Sequence, residues 1–332
     1  MTDPAGRAEM LIISRKDIEK LLPVGEAISC VSRAYAELSA GTASVPDRIG
    51  VETEDGVTLI MPGHLSGEDS LAVKIVSVFP GNQTRGKPAI YGIVNLLDPT
   101  DGRPVALIEG AYLTALRTGA SVGLATKLLA RVDTSTMAMI GLGAQSRTIV
   151  PAVCAVRQIK KVLVFDTDHA AFERFRADLG ETVPIEQVDS ADEAVAGADI
   201  VCTATTSSEP VFDGSALTAG THINGIGSFT PEMREVGYEA LKRCSKIVID
   251  SSSGAMSEAG DLIQAISAGV IREADIYGEL GEIVLGRKQG RDSGDGITFF
   301  KSVGNAALDI AVANEIYVRA KKNKIGEVVT LD

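Results

Sequence analysis

Residues 136–166 constrain this chain more than any other stretch. Thr136-Met-Ala-Met-Ile140 is an apolar strand that runs straight into Gly141-Leu-Gly143. A helical run follows, with Ile149, Val153 and Val156 on one face, and a second apolar strand, Lys161-Val-Leu-Val-Phe165, ends in Asp166. Strand, glycine turn, helix, strand and acid in that order form a βαβ unit with the dinucleotide-binding fingerprint. Glycines at Gly141 and Gly143 let the backbone approach a pyrophosphate, and the helix N-terminus offers it N–H groups and partial positive charge. Asp166 stands where a carboxylate accepts hydrogen bonds from a ribose diol. Ser146 occupies the place of the usual third glycine.

A length of 332 residues is enough for about two domains. Apolar content of 45% with 23% charged residues is ordinary for a globular protein with large cores. A net charge of −12 argues against nucleic acid, whose phosphates need clustered Lys and Arg. The basic cluster Lys321-Lys-Asn-Lys324 ends a helical run, where cations favour the dipole, and reads as a solvated terminus. The four cysteines are scattered without metal spacing or a disulfide pattern. They read as reduced thiols, which suits the cytoplasm. The opening residues 1–7 show no apolar leader, and no run approaches the length of a membrane span. With only three histidines (His64, His169 and His222), a zinc site or a Ser-His-Asp triad is disfavoured. No metal site is expected.

Along the chain, a strand over 10–13 is followed by Ser14-x-x-Asp17, a capping box for the next helix. Ile28, Val31, Tyr35 and Leu38 form a helical stripe that stops near Gly41. Hairpins are predicted over 49–53 with 57–61, turning at Glu54-Asp-Gly56, and over 91–97 with 103–108, turning at Asp98-Pro-Thr-Asp-Gly102. Between them, 71–79 is an apolar strand with Lys74 inside it. A long helix from Leu113 to about Arg131 bridges into the βαβ unit. Beyond Asp166, helices and strands alternate: helix 170–179, strand 185–188, helix 191–196, then strands 200–204, 222–227 and 246–250. Such alternation implies a parallel sheet with right-handed crossovers. Its C-terminal strand edge would gather Gly143, Asp166, Thr205 and Gly227 around one ligand crevice. Helices are expected over 257–268, 276–284 and 305–321 and a strand over 298–303, with Ser251-Ser-Ser253 as a loop.

Three cations sit in apolar or tight settings: Arg48 at a strand start, Lys74 in Ala72-Val-Lys-Ile-Val76, and Arg117 in Leu116-Arg-Thr-Gly-Ala120. A buried cation needs an anion. Each alone reads as easily as a local salt bridge or a snorkelling side chain. Three together in an acidic chain point to a pocket for a carboxylate substrate, with Arg for bidentate binding and Lys for a point charge or a proton.

The run Leu113-Thr-Ala-Leu-Arg-Thr-Gly-Ala-Ser-Val-Gly-Leu-Ala-Thr-Lys-Leu-Leu-Ala-Arg131 resembles the bridge-helix signature of the ornithine cyclodeaminase/mu-crystallin family. Met61-Pro62, Lys74, Gly141-x-Gly-x-Gln145, Ala198-Asp-Ile-Val201, His222-Ile-Asn-Gly-Ile-Gly227, Glu258-Ala-Gly-Asp261, Gly278-Glu-Leu-Gly281 and Phe300-Lys-Ser-Val-Gly304 resemble further family motifs, in the family's order and over nearly the whole chain. The resemblance implies an α/β fold: a Rossmann doubly wound parallel sheet over 119–304 plus an α+β substrate-binding and dimerisation domain over 1–118 and 305–332. It implies a homodimer and a small imino or amino acid substrate bearing a carboxylate; with the charge and the lack of a spanning run, no nucleic-acid or membrane partner is expected. Arg48, Lys74 and Arg117, with Met61, would line the substrate site. The cofactor set would include Arg117, Thr118, Gly141, Gly143, Ala144, Gln145, Asp166, Thr205, Thr206, Gly227, Ser302 and Gly304. Lys74, Arg117 and His64 are the catalytic candidates, His64 as a possible proton donor after Met61-Pro-Gly63.

The family's reactions share hydride exchange between nicotinamide and the α-carbon of an amino or imino acid. Cyclodeaminases of the family carry a Glu just before the Met-Pro pair, where this chain has Ile60. Cyclodeaminases and archaeal alanine dehydrogenases carry an Asp soon after the fifth Rossmann strand, where this chain has Phe229. Losing two carboxylates undermines cyclodeamination more than reduction of a preformed imine. The expected activity is NADH-dependent reduction of cyclic ketimino acids, Δ1-pyrroline-2-carboxylate to L-proline above all. Alternatives are an alanine-type amino-acid dehydrogenase, an ornithine cyclodeaminase and a non-catalytic mu-crystallin-like binding protein. The carboxylate that Phe165-Asp-Thr-Asp168 places after the second Rossmann strand, Asp166, would repel a 2′-phosphate, so NAD(H) is expected over NADP(H).

Overall fold

The computed structural model describes residues 9–180 and 183–331; the leader reading of residues 1–7 falls outside them. Chain contacts separate two units, one running to Arg117 and resuming at Asn305, the other spanning Thr118–Gly304.

The first unit begins with β1 (Glu9–Ile13) and α1 (Arg15–Leu21). Ser14 caps α1 in a full capping box with Asp17, as the spacing predicts. Helix α2 (Val24–Ala40) buries Ile28, Val31 and Tyr35 and ends where Gly41 turns left-handed at φ 74°. The strands β2 (Ala43–Ser44), β3 (Ile49–Thr53), β4 (Gly56–Leu65), β5 (Ser70–Val78), β6 (Ile90–Leu97) and β7 (Pro104–Glu109) follow. Both expected hairpins form, the first turning through Glu54-Asp55 between the paired Thr53 and Gly56. Helix α3 (Gly110–Leu129) carries the boundary between the units.

In the second unit the order is β8 (Thr136–Ile140), α4 (Ser146–Val156), β9 (Lys161–Phe165), α5 (Ala171–Leu179), β10 (Ile185–Gln187), α6 (Ala191–Ala196), β11 (Ile200–Thr203), β12 (His222–Gly225), α7 (Tyr238–Arg243), β13 (Cys244–Ile249), α8 (Ser252–Glu258), α9 (Gly260–Ser267), β14 (Ile276–Glu279), α10 (Leu280–Val284) and β15 (Ile297–Lys301). The chain closes the first unit with α11 (Ala306–Asn323) and β16 (Glu327–Thr330).

The second unit's eight strands are all parallel, in the order β10-β9-β8-β11-β12-β15-β13-β14. Strand order reverses between β8 and β11, the doubly wound Rossmann arrangement. Its buried strands read as continuous apolar runs because helices cover parallel sheets on both faces.

The first unit's sheet runs β16-β1-β7-β6-β5-β4-β2, with β3 also on β4. Its two faces differ. One is packed by α2 and α11 and buries Met61, Ala72, Lys74, Val94 and Ile108. The other carries Ile49, Ile60, Ile75 and Ile93 in one register row. Ile49 is 58% exposed and Ile93 40%.

Three expectations fail. The helix expected over 257–268 breaks at Ala259, whose non-helical ψ of 86° separates α8 from α9. Ser251-Ser-Ser253 is not merely a loop, since α8 starts at Ser252. Residues 276–279 are the edge strand β14 on β13, and only Leu280–Val284 is helical. A short apolar run fits either period, and the open place beside β13 decides it. Strands β2 and β16 have no counterpart in the sequence reading. No helix among the described residues is long and apolar enough to cross a membrane.

Candidate active site

Strand alternation brings the first cluster together. Register pairs Met61 with Lys74 and Lys74 with Val94, so all three point to the helix-covered face. Lys74 is only 3% exposed. Asp309, in the first turn of α11, is wholly buried. Lys74 Nζ donates to Asp309 Oδ1 at 3.0 Å, and Arg117 Nε donates to the same oxygen at 3.1 Å. Asp309 Oδ2 has no hydrogen-bond partner among the described residues. Two buried cations thus share one carboxylate oxygen.

Burial disfavours the Lys74 ammonium most; Asp309 counters this, while Arg117 and the half-buried Arg48 add repulsion, and the pKa is lowered to about 8. Burial alone would push the Asp309 carboxyl up, but Arg117 and Lys74 outweigh it and hold it below its ordinary value. Asp309 is therefore held ionised, and Lys74 holds its proton less tightly than an ordinary lysine.

Two site expectations need correcting. His64 does not join this cluster: it pairs with Leu71, and three residues from Met61 along a strand puts it on the opposite face from Lys74. Ile60 lies on that same outer face, opposite Ile75, so the absence of an acid there does not bear on proton transfer at Lys74. His222 is buried between Thr298 and Asn224, and burial lowers it to about 3, leaving it a neutral structural group. Burial likewise pushes the Cys202 thiol up to about 12, which rules out its use as a nucleophile near neutral pH.

The second cluster lies at the C-terminal strand edge of the Rossmann unit. Gly141 takes a left-handed φ of 89°, and a Cβ there would lie 2.7 Å from Ala204 O. Gly143 and Ala144 are exposed, and nothing lies within 4 Å of where a Gly143 Cβ would be. That leaves room for a pyrophosphate at the mouth of α4. Gln145 precedes α4, its buried Oε1 unpartnered among the described residues. Ser146, in place of the third glycine, donates its hydroxyl to Gly143 O at 2.7 Å. Close helix packing is supplied instead by Gly119 in α3, where a Cβ would come within 2.5 Å of Thr148 O.

Asp166 accepts the Leu142 N–H on Oδ2 at 2.6 Å and the Asp168 N–H on Oδ1 at 2.8 Å. The turn thus fixes a carboxylate at the end of β9, which suits a ribose diol and opposes a 2′-phosphate. Thr205 and the exposed Thr206 follow β11, Gly227 follows β12, and Ser302 and Gly304 follow β15. Thr118 is buried in α3. Phe229 lies just beyond Gly227, 36% exposed. Among the described residues this edge offers what a dinucleotide without a 2′-phosphate requires.

Three acids escaped the sequence reading. Asp309 is one; its only signal is a lone acid within Ala306-Ala-Leu-Asp-Ile-Ala-Val312. Asp250 Oδ2 accepts from Ser302 Oγ at 2.8 Å and from the N–H groups of Val303 at 2.8 Å and Gly304 at 2.7 Å, fixing the segment after β15. Glu235 is the third.

The doubly wound sheet with its glycine turn and Asp166 defines a dinucleotide-binding protein, and the chain belongs to the ornithine cyclodeaminase/mu-crystallin family, whose model matches residues 8–324. A Δ(1)-pyrroline-2-carboxylate reductase of Bacillus cereus is 41% identical over 322 residues, 96% of this chain and 99% of that protein. The structure of Thermococcus litoralis Δ(1)-pyrroline-2-carboxylate reductase in complex with NADH and L-proline matches with a TM-score of 0.92 at 42% identity, covering 96% of this chain and 99% of that one. An archaeal alanine dehydrogenase dimer with bound NAD matches with a TM-score of 0.91 at 33% identity, over 98% of this chain and 100% of that one.

The shared anchor has a measurable consequence. Asp309→Ala leaves two buried cations facing each other, so the free energy of unfolding in urea should fall by about 3–5 kcal/mol. A loss under about 1 kcal/mol would mean the pair is not buried in solution.

Proposed function

We propose that this chain is an NADH-dependent reductase of cyclic ketimino acids, reducing Δ1-pyrroline-2-carboxylate to L-proline. The observation that carries the reading is the buried pair of cations, Lys74 and Arg117, gathered on Asp309 Oδ1, a setting that suits a small carboxylate. Similarity over the whole chain to pyrroline-2-carboxylate reductases from Bacillus cereus and Thermococcus litoralis supports it. Residues up to Arg117 with those from Asn305 would form the substrate and dimerisation domain, and residues 118–304 the cofactor domain.

Arg117 and Arg48 bind the substrate carboxylate, and Met61 packs beside Lys74. NADH, when bound, supplies a hydride to the α-carbon. The ring nitrogen must gain a proton in the same turnover, and Lys74 gives it. An ammonium with a pKa near 8 can release that proton at neutral pH, which an unperturbed lysine does poorly. Phe229 offers no acid for the ammonium of a linear diamine, which favours an imine over ornithine. Asp166 directs the preference to NADH over NADPH.

The isoleucine row on the outer face of the first unit's sheet is the kind of contiguous apolar surface that marks an association site. A second copy of this chain covers it, and His64 belongs to that face rather than to the chemistry. Light scattering should give twice the 34.7 kDa chain mass, and Ile75→Glu should give monomers; a monomeric wild type contradicts the assignment.

Substrate class is tested with three mixtures: NADH with Δ1-pyrroline-2-carboxylate, NADH with pyruvate and ammonia, and NAD with ornithine. The first should oxidise NADH fastest, and more slowly when NADPH replaces it. Silence there with turnover in either other mixture rejects the reading, and silence in all three with intact NADH binding would indicate a binding protein.

The pH profile tests Lys74. Its ammonium is charged below about 8 and loses its proton as pH rises through that value, so kcat/KM for imine reduction should fall on the alkaline side of that point. Lys74→Gln should remove this limb and lower kcat/KM by roughly 10²–10⁴-fold, whereas His64→Ala should leave the limb in place. A limb that survives in Lys74→Gln excludes Lys74 as the acid.

A further inference from the structure

Glu235 is fully buried in the segment between β12 and α7, outside every motif discussed above. Its Oε1 accepts the Thr205 N–H at 2.6 Å, and its Oε2 accepts the N–H groups of Gly227 at 2.6 Å and Ser228 at 3.1 Å. Thr205 follows β11 and Gly227 follows β12, neighbours in the sheet. One carboxylate therefore spans two adjacent strand ends.

Glu235 is itself held from behind. Asp261 Oδ1, at the start of α9, accepts the Glu235 N–H at 2.7 Å and the Val236 N–H at 2.9 Å. Asp261 Oδ2 pairs with Lys301, the last residue of β15, at 2.7 Å, and neither side chain has exposed surface. Gln264 of α9 donates to Pro231 O at 2.8 Å, clamping the same segment. The relay Lys301–Asp261–Glu235 thus links the ends of β15, β12 and β11, three consecutive strands.

These strands form one half of the doubly wound sheet. The other half, β8 to β10, carries Gly141, Gly143 and Asp166 and takes the adenosine side of a dinucleotide by the rule for this fold. Strands β11, β12 and β15 then flank the nicotinamide side. With the N–H groups of Thr205 and Gly227 turned inward to Glu235, the preceding carbonyls turn the other way, because a trans peptide sets N–H and C=O in opposition: that of Ala204 faces Gly141, and that of Ile226 points away from Glu235.

We propose that Glu235 is the positioning residue of the nicotinamide half-site: its carboxylate fixes the segments after β11 and β12 so that their outward groups meet the nicotinamide end, without touching the cofactor. This rests on the reading of the second unit as an NAD(H) site. A neutral side chain cannot replace it. Glutamine puts an NH₂ group against either Thr205 or Gly227 and Ser228, donor facing donor, and aspartate is too short to reach both segments.

The test compares two ligands by calorimetry in wild type, Glu235→Gln and Glu235→Asp. ADP occupies only the adenosine half, and NADH occupies both. Both variants should bind ADP within about twofold of wild type and NADH about tenfold or more weakly, the effect of one or more lost charge-assisted hydrogen bonds. NADH affinity unchanged in both variants overturns the proposal. So does an equal loss of both ligands in both variants, which would make Glu235 a general support of the unit. The measurement uses no imine, so it stands apart from the substrate assignment, and a wild type that fails to bind NADH refutes the cofactor reading itself.

Discussion

Asp309 Oδ1 receives both the Lys74 ammonium and the Arg117 guanidinium, and the character of the first unit's site follows from that shared contact. A single carboxylate oxygen holds both cations in the buried layer. The anchor also bears on the acidity of Lys74: burial disfavours the ammonium, and Asp309 counters it.

The second unit uses buried carboxylates differently. Asp250, Glu235 and Asp261 accept backbone N–H groups, and their task is to fix the segments beyond the C-terminal strand ends. In open α/β sheets that edge is where ligands bind, and its segments have no regular structure to hold them. A buried acid accepting two or three N–H groups gives a loop something close to the rigidity of a sheet. Lys301 pairs with Asp261 behind this network, while burial pushes the Glu235 carboxyl up.

What could be read from the sequence divides along the same line. The βαβ unit, the capping box at Ser14, both hairpins and the parallel alternation were legible because each signal lies within a few residues. Strand parity was legible too: Met61 and His64 are an odd number of residues apart, which already sets them on opposite faces once that run is taken as a strand. The pairing of Lys74 with Asp309 was not, because the two lie 235 residues apart and nothing local to either names the other. Glu235 was hidden for a related reason, since its partners are backbone groups, which carry no sequence signature. The places of β14 and of the break between α8 and α9 depend on neighbouring elements rather than on their own residues.

The proposed reaction is hydride delivery to the α-carbon of a carboxylate-bound imine. Turnover of Δ1-pyrroline-2-carboxylate with NADH deuterated at both C4 positions, followed by mass spectrometry of the product, tests that most directly. Proline carrying a single deuterium on its α-carbon is the predicted result. Unlabelled proline, label at another carbon, or no oxidation of the cofactor would contradict it.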